Sequence, residues 1–388
     1  MRLVYFSPIS ARSYEQRPHF SVRALLDRGV TRVLWVDPYP HRLPRWSDLW
    51  RHRVPRDQGT PLDSRITVLD VPALPVEPLP GGTTFNRWFL WRKAWAEIAA
   101  FAAPAPCILG IGCPGALPLA VLRHFRPAAS FYDAMDNFPE FHCGLSRLAM
   151  RRHENAITAL VDLVITSSTY LTDKFAQGHP CVEKILNACS TGDLPAEPPP
   201  RDHRPILGYV GCLGSWFDWP LVVRLAEAVP EVRIELIGPC ETRRPRNLPP
   251  NVRLLAACPR HAIPHHLARF SAGLIPFVRN RLTAGVDPIK YYDYRAFGLP
   301  VLTTRFGEMA LRGADEGVCF LDPAADLRAL VQQALARPLD VESMEQFRAT
   351  HNWQERFAAA RLIDRLFPAP PAEKRAGAVA PQAGRAAA

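Results

Sequence analysis

Along the first half of the chain, short apolar runs alternate with stretches in which apolar residues recur at helical spacing. The runs at 3–7, 33–38, 66–71, 107–113, 130–136 and 163–168 are mostly continuous and apolar, as strands covered on both faces are. Helical patterns lie between them at 15–28, 84–103, 117–125 and 145–161. This rhythm predicts a parallel, doubly wound α/β sheet. A second series follows, with strands predicted at 206–211, 232–238, 252–257, 273–277, 301–304 and 318–321 and helices at 221–229, 263–270, 288–297 and 326–336. Between the two series, 191–204 turns to proline and polar residues and reads as a linker. The pattern therefore predicts two Rossmann-like domains, 1–190 and 205–350, facing a cleft between the carboxyl ends of both sheets. Residues 341–367 read as helical and amphipathic, and the Pro- and Ala-rich tail 368–388 as disordered.

The densest local signal is GVDPIKYYDYRAFGLPVLTT, 285–304. Asp287 reads as an N-cap and Pro288 as the first helical residue, where a missing N–H costs nothing. Gly298 supplies the residue after the last turn, and Pro300 prevents continuation. A helix N-terminus presents unpaired N–H groups and about half a positive charge, so the loop before it can hold an anion such as a diphosphate. Lys290 adds a full charge, and the preceding loop offers Arg279, Asn280, Arg281 and Thr283.

Three further stretches are expected at the same cleft. In GYVGCLGSWFDW (208–219), Gly211 and Gly214 would let backbone amides approach a phosphate, although the spacing is not G-x-G-x-x-G. Gly238, closing IELIGP, is expected under a base or ribose. In YDAMDNFPEF (132–141), Asp133 and Asp136 follow a strand, with Glu140 and His142 beyond. They can accept a proton from an attacking hydroxyl or hydrogen-bond a sugar; equally, they can cap the next helix. The D-x-x-D spacing alone defines no metal site. In SYEQRPHF (13–20), Arg17 and His19 lie near the first helix start, with His19 open as a catalytic group or a surface residue.

At 388 residues, the chain is long enough for two cores. A net charge of +10 and a pI near 9.4 imply an anionic partner. No nucleic-acid module is recognisable, and no apolar run reaches the roughly 18 residues that span a bilayer. Nine cysteines without a C-x-x-C pair suit buried reduced thiols. The opening MRLVYFSPIS reads as a strand and not a signal peptide, so a cytoplasmic protein is expected. Within 41–56 and 85–95, Trp and Phe alternate with Arg and Lys. That interleaving fits a protein resting on a membrane surface, or a solvated helix face with its aromatics in the core.

In chain order, QRPH, YDAMDNFPEF, GYVGCLGSWFDW, ELIGP, IPFVRNRLTAGVDPIKYYDYRAFGLPVLTT and HNWQERF resemble bacterial GT-B glycosyltransferases of the family 4 (glycosyltransferase group 1) type, over 1–367. The resemblance implies a retaining, metal-independent transfer of a sugar from a nucleotide-diphosphate donor, with no cofactor. It places the donor on the second domain, a saccharide or lipid-linked acceptor on the first, and a last helix, 351–367, crossing back to the first domain. The setting it implies is synthesis of a surface polysaccharide or lipopolysaccharide, in the cytoplasm and peripheral to the inner membrane.

By position, Lys290 would neutralise the departing diphosphate, Asn280 and Thr283 would help hold it, and Asp293 stands where the family usually has a glutamate touching ribose or sugar. Two departures stand out. GSWFDW lacks the Arg and Lys that many members carry there, leaving Lys290, Arg279, Arg281, or Arg17 across the cleft to meet the leaving charge. The paired glutamates eight positions apart are absent too, since Gly285 stands eight before Asp293. Two other readings share the architecture: a nucleotide-sugar epimerase, which needs no acceptor and would interconvert UDP-N-acetylglucosamine with its epimer, and a non-catalytic scaffold.

Overall fold

The computed structural model describes residues 1–44, 62–190, 192, 204–322, 324–337 and 340–367. Much of the basic and aromatic stretch 41–56, the 191–204 linker apart from its residues 192 and 204, and the 368–388 tail lie outside the described residues.

Each predicted apolar run forms a strand. In the first domain, β1 (Arg2–Phe6), β2 (Arg32–Val36), β3 (Ile66–Leu69), β4 (Cys107–Ile111), β5 (Ala129–Ala134), β6 (Leu163–Thr166) and β7 (Val182–Lys184) make one sheet in the order 3-2-1-4-5-6-7. All its pairings are parallel. The period of two sends Leu3 and Tyr5 into one core cluster and Val4 and Phe6 into another, so both faces are covered. The covering helices are α1 (Arg17–Asp27), α2 (Gly82–Phe85), α3 (Arg92–Ala102), α4 (Ala116–Phe125), α5 (Gly144–Thr158) and α6 (Thr169–Ala176).

In the second domain, β8 (Ile206–Val210), β9 (Arg233–Ile237), β10 (Val252–Leu255), β11 (Ala272–Ile275), β12 (Val301–Thr303) and β13 (Val318–Phe320) pair in parallel in the order 10-9-8-11-12-13. Helices α7 (Trp219–Ala228), α8 (Ile263–Arg269), α9 (Ile289–Ala296) and α10 (Leu327–Leu335) accompany them. The strand order reverses between β1 and β4 in one sheet and between β8 and β11 in the other. Such switch points open a crevice at the carboxyl ends, so the loops after these four strands face the ligand space.

The chain ends with α11 (Val341–Thr350), α12 (Trp353–Ala358) and a 3₁₀ turn, Leu362–Leu366. Asn352 breaks the predicted continuous helix by capping α12 through the Glu355 amide. Trp353, Phe357, Ala360, Ile363 and Leu366 join the core of the first domain, and the Trp353 ring stacks on Phe20 of α1 at 4.8 Å.

Three local expectations change. Strand β7 and helix α6 were not foreseen: β7 is three residues of VEK at a sheet edge, too short and polar for an apolar run, and α6 is declared mainly by its Ser168 cap. The stretch 84–103 is not one helix, because a π-helical turn at Asn86–Leu90 separates α2 from α3. Asp287 does not cap α9; the cap position is Pro288, which has no side-chain hydrogen bond, and the Asp287 carboxylate turns elsewhere.

Adjacent glycines in register, Gly208 of β8 and Gly273 of β11, let Phe270 and Tyr294 lie flat on the second sheet. A Cβ at Gly208 would overlap the fully buried Phe270 ring. Gly208→Ala is therefore expected to destabilise the second domain by about 1–3 kcal/mol. Urea denaturation of the full chain measures this, and an unmoved midpoint would show that Phe270 has room to yield.

Candidate functional site

Strand β8 runs out at Val210 into Gly211, and β9 into Gly238. Both glycines have left-handed φ values, 142° and 138°. A Cβ on Gly238 would strike the Gly211 carbonyl, so the two loops touch backbone to backbone. A Cβ on Gly211 would lie 2.6 Å from Cε and 2.7 Å from Nζ of Lys290. The lysine, in the first turn of α9, thus lies across bare backbone at the end of β8. Its ammonium stands 5.2 Å from the Tyr209 ring centre and 5.8 Å from that of Phe277. Burial lowers its pKa, opposed by the charges of Asp293 and Cys212.

Asp293, one turn on, lies near Lys290 and Arg260. Burial raises its pKa to about 6, against the pull of Arg260 and then Lys290. It lines a crevice between the domains with Arg260 and Pro264 of the second and Glu15 and Gln16 of the first. Two bonds close the crevice at its edge: the Tyr14 hydroxyl donates to the Cys258 carbonyl at 2.9 Å, and the Arg260 guanidinium donates to the Glu15 carbonyl.

The first domain supplies a charged cluster after β1 and β5. Arg17, the first residue of α1, is fully buried; its Nε donates to Asp133 Oδ1 at 2.9 Å and its Nη1 to the Ile185 carbonyl at 2.6 Å. Asp133 also accepts from the Ser21 hydroxyl at 3.3 Å. Arg17 Nη2 and the Tyr5 hydroxyl, both buried, have no hydrogen-bond partner among the described residues. Asp136 is half-buried; burial raises its carboxyl to about 7, with Arg17 pulling down and Asp133 pushing up. Neither aspartate caps the next turn, whose cap position is Asn137.

The other expected residues divide. Asn280 Oδ1 accepts from the amides of Leu282 and Thr283, and the buried Thr283 hydroxyl donates to the Val278 carbonyl at 2.6 Å, so these polar groups shape their own loop. Arg279 and Arg281 are exposed on it. A Cβ on Gly214 would meet the Trp216 ring, so this glycine accommodates a tryptophan. Trp216 in turn meets Phe141 of the first domain edge-on at 6.3 Å. His19 is buried and caps α1: Nδ1 accepts from the Gln16 amide and Nε2 lies 3.1 Å from the Ala11 carbonyl. Glu140 pairs with Arg147.

Sequence reasoning missed the clamps that reach from the first domain to the loop before α9 and to the turn after β12. Asn137 Nδ2 donates to the Arg281 carbonyl at 3.0 Å, Ser168 Oγ to the Gly285 carbonyl at 2.9 Å, and the Thr169 amide to Glu308 at 2.8 Å. Ser168 and Thr169 stand at the start of α6, and nothing in the local sequence points to partners over a hundred residues away. Among the described residues, no three His, Cys, Asp or Glu side chains group as metal ligands.

No protein-family model matches the sequence, and no curated protein matches it. Solved structures do share the fold. Sucrose-phosphate synthase from Thermosynechococcus elongatus superposes with a TM-score of 0.66 at 14% identity, over 95% of this chain and 98% of that one. A UDP-forming α,α-trehalose-phosphate synthase from Burkholderia vietnamiensis gives 0.60 at 13% identity, over 94% and 96%. The lipopolysaccharide outer core galactosyltransferase WaaB gives 0.52 at 10% identity, over 92% and 97%. The chain has the two-domain GT-B fold of these proteins.

The raised carboxyl of Asp136 makes a pH prediction. Unfolded, the group titrates near 3.9; folded, at about 7. It therefore favours the folded state while protonated, and that contribution fades as pH rises through 7. Asn is neutral at every pH, so the unfolding midpoint of Asp136→Asn is expected to gain on the parent by a few degrees between pH 5 and pH 8. A constant difference across that range would place Asp136 in water.

Proposed function

We propose that the chain is a glycosyltransferase that moves a hexose from a nucleotide-diphosphate donor to a saccharide or lipid-linked acceptor in cell-surface polysaccharide or lipopolysaccharide synthesis. The observation that carries this reading is Lys290 laid over Gly211, with Gly238 beside it, at the switch point of the second sheet. A diphosphate resting there meets bare backbone, the start of α9 and a desolvated ammonium, which together match the charge that grows as the leaving group departs. Asp293, close behind Lys290, is the group for a ribose or sugar hydroxyl. Of the structures that share the fold, one is named a galactosyltransferase and one a UDP-forming synthase, which favours a nucleoside diphosphate as the departing product.

The C1–O bond to the diphosphate breaks with its electron pair leaving on phosphate, and the acceptor oxygen bonds to C1. In a retaining transfer, the acceptor proton passes to the departing phosphate oxygen on the same face. We assign to Asp136, whose carboxyl is raised by burial to about 7, the hydrogen bond to the acceptor hydroxyl. Arg17 and Asp133 position the surface that carries it, being bonded to each other and buried.

The test is thermal unfolding against UDP, GDP, CDP and dTDP, followed by turnover of the matching nucleotide sugars. A ligand at 100 times its Kd adds about 2.7 kcal/mol to stability. One nucleotide is expected to raise the midpoint, and Lys290→Ala to lose most of that rise and about 100- to 1,000-fold in kcat with the fold intact. No shift with any nucleotide, or full activity in Lys290→Ala, would overturn the reading.

A further inference from the structure

The aromatic and basic stretch after β3 fits either a membrane surface or a solvated helix face with its aromatics in the core, and the structure divides it residue by residue. The π-helical turn closes with the Trp91 amide donating to the Asn86 carbonyl at 2.8 Å. Asn86 and Trp91, which bracket it, are buried pegs. The Asn86 carboxamide bonds both the amide and the carbonyl of Leu74 at 3.0 Å, and Trp91 packs edge-on against Tyr39 at 5.8 Å. Pinned at both ends, the turn pushes the residues between outward. Trp88 is 67% exposed and Phe89 71%, with Phe85, 42% exposed, 4.8 Å from the Phe89 ring. Leu74 and Leu79 on the adjoining segment are 45% and 41% exposed. One exposed apolar residue needs no explanation, but a Trp and two Phe exposed within five residues of chain do.

Arg87, Arg92 and Lys93 are exposed around this group. Their acidic neighbour Glu97 stands 3.8 Å from Lys93. Bulky aromatics ringed by cations suit a headgroup layer, where Trp takes the boundary and the cations are drawn to an anionic surface. Among the described residues, no helix is long and apolar enough to cross a bilayer, which leaves contact in the plane of the interface. The ridge also has a defined place relative to the cleft. The segment leading to it packs at the carboxyl edge of the first sheet, where Glu77 accepts from the Ala116 amide at the start of α4 at 3.4 Å. Asp136 follows β5 at that same edge.

We propose that this ridge, Leu74, Leu79 and Phe85 to Lys93, docks the protein on an anionic lipid bilayer, with Trp88 and Phe89 in the headgroup layer and Arg87, Arg92 and Lys93 against lipid phosphates. Docking is independent of sugar transfer, and the two fail separately.

The experiment is flotation of the full-length protein with vesicles of phosphatidylcholine alone, and of phosphatidylcholine with one third phosphatidylglycerol. The parent is expected to float with the anionic vesicles, less so in high salt. Trp88→Ala with Phe89→Ala, and separately Arg92→Glu with Lys93→Glu, are each expected to weaken partitioning about tenfold or more. All four side chains are exposed, so circular dichroism and the unfolding midpoint should match the parent. Failure of the parent to bind, equal binding to both vesicle types, or variants that float like the parent would each overturn docking on anionic lipid. So would a concentration-dependent dimer in sedimentation that the aromatic variant abolishes, because a second copy would then cover the ridge.

Discussion

The Asp287 carboxylate governs how the two halves of the site meet. It lies buried and accepts from the Asn187 amide at 2.8 Å, the Tyr292 hydroxyl at 2.8 Å and Arg312 Nη2 at 2.9 Å. Those donors come from the end of the first domain, from α9 and from the segment after β12. One buried charge therefore ties three separate pieces of chain, and removing a partner from such a pair typically costs about 3–5 kcal/mol. Lys290 and Asp293 sit on the helix this network starts, so their bearing is set by contact with the first domain. The clamps from Asn137 and Ser168 reinforce it along the loop before α9, and the one from Thr169 acts on Glu308 after β12.

With the start of α9 held this way, the cations missing from GSWFDW have a structural counterpart. The loop folds Trp216 over Gly214 and against Phe141 and Phe277, filling with aromatic surface the space after Gly211. Positive charge is concentrated on the helix side, in one half-buried ammonium over two aromatic rings. A charge stripped of water acts more strongly on a nearby anion than a solvated one. On the opposite wall, Arg17 is held through Nε by Asp133 and through Nη1 by the Ile185 carbonyl, while its Nη2 has no hydrogen-bond partner among the described residues.

Much of the fold was legible because its strands are covered on both faces and read as apolar runs; twelve of the thirteen strands among the described residues appear at or near their expected places. What escaped is of two kinds. Strand β7 and helix α6 carry weak apolar signal. The polar partnerships, Arg17 with Asp133, Asn187 with Asp287 and Thr169 with Glu308, join residues 100 or more apart, and local pattern carries no record of them. The N-cap reading of Asp287 failed for this reason: the residue type was right for a cap, but stronger donors existed elsewhere. Site glycines were legible as glycines, yet only coordinates separate Gly211, which clears a path for Lys290, from Gly214, which clears one for Trp216.

The contacts between the domains are graded in strength, and the gradation bears on how the crevice between them opens. At the crevice beside Asp293, Tyr14 and Arg260 reach backbone carbonyls, and such bonds contribute about 1–3 kcal/mol each. The Asp287 network combines a buried ion pair with two further hydrogen bonds, each of which would leave a desolvated group if broken. Opening that separates the first set and spares the second costs less than separating the domains outright. The crevice can then widen while Lys290 keeps its place over Gly211, because the contacts that seat the lysine are those least readily lost.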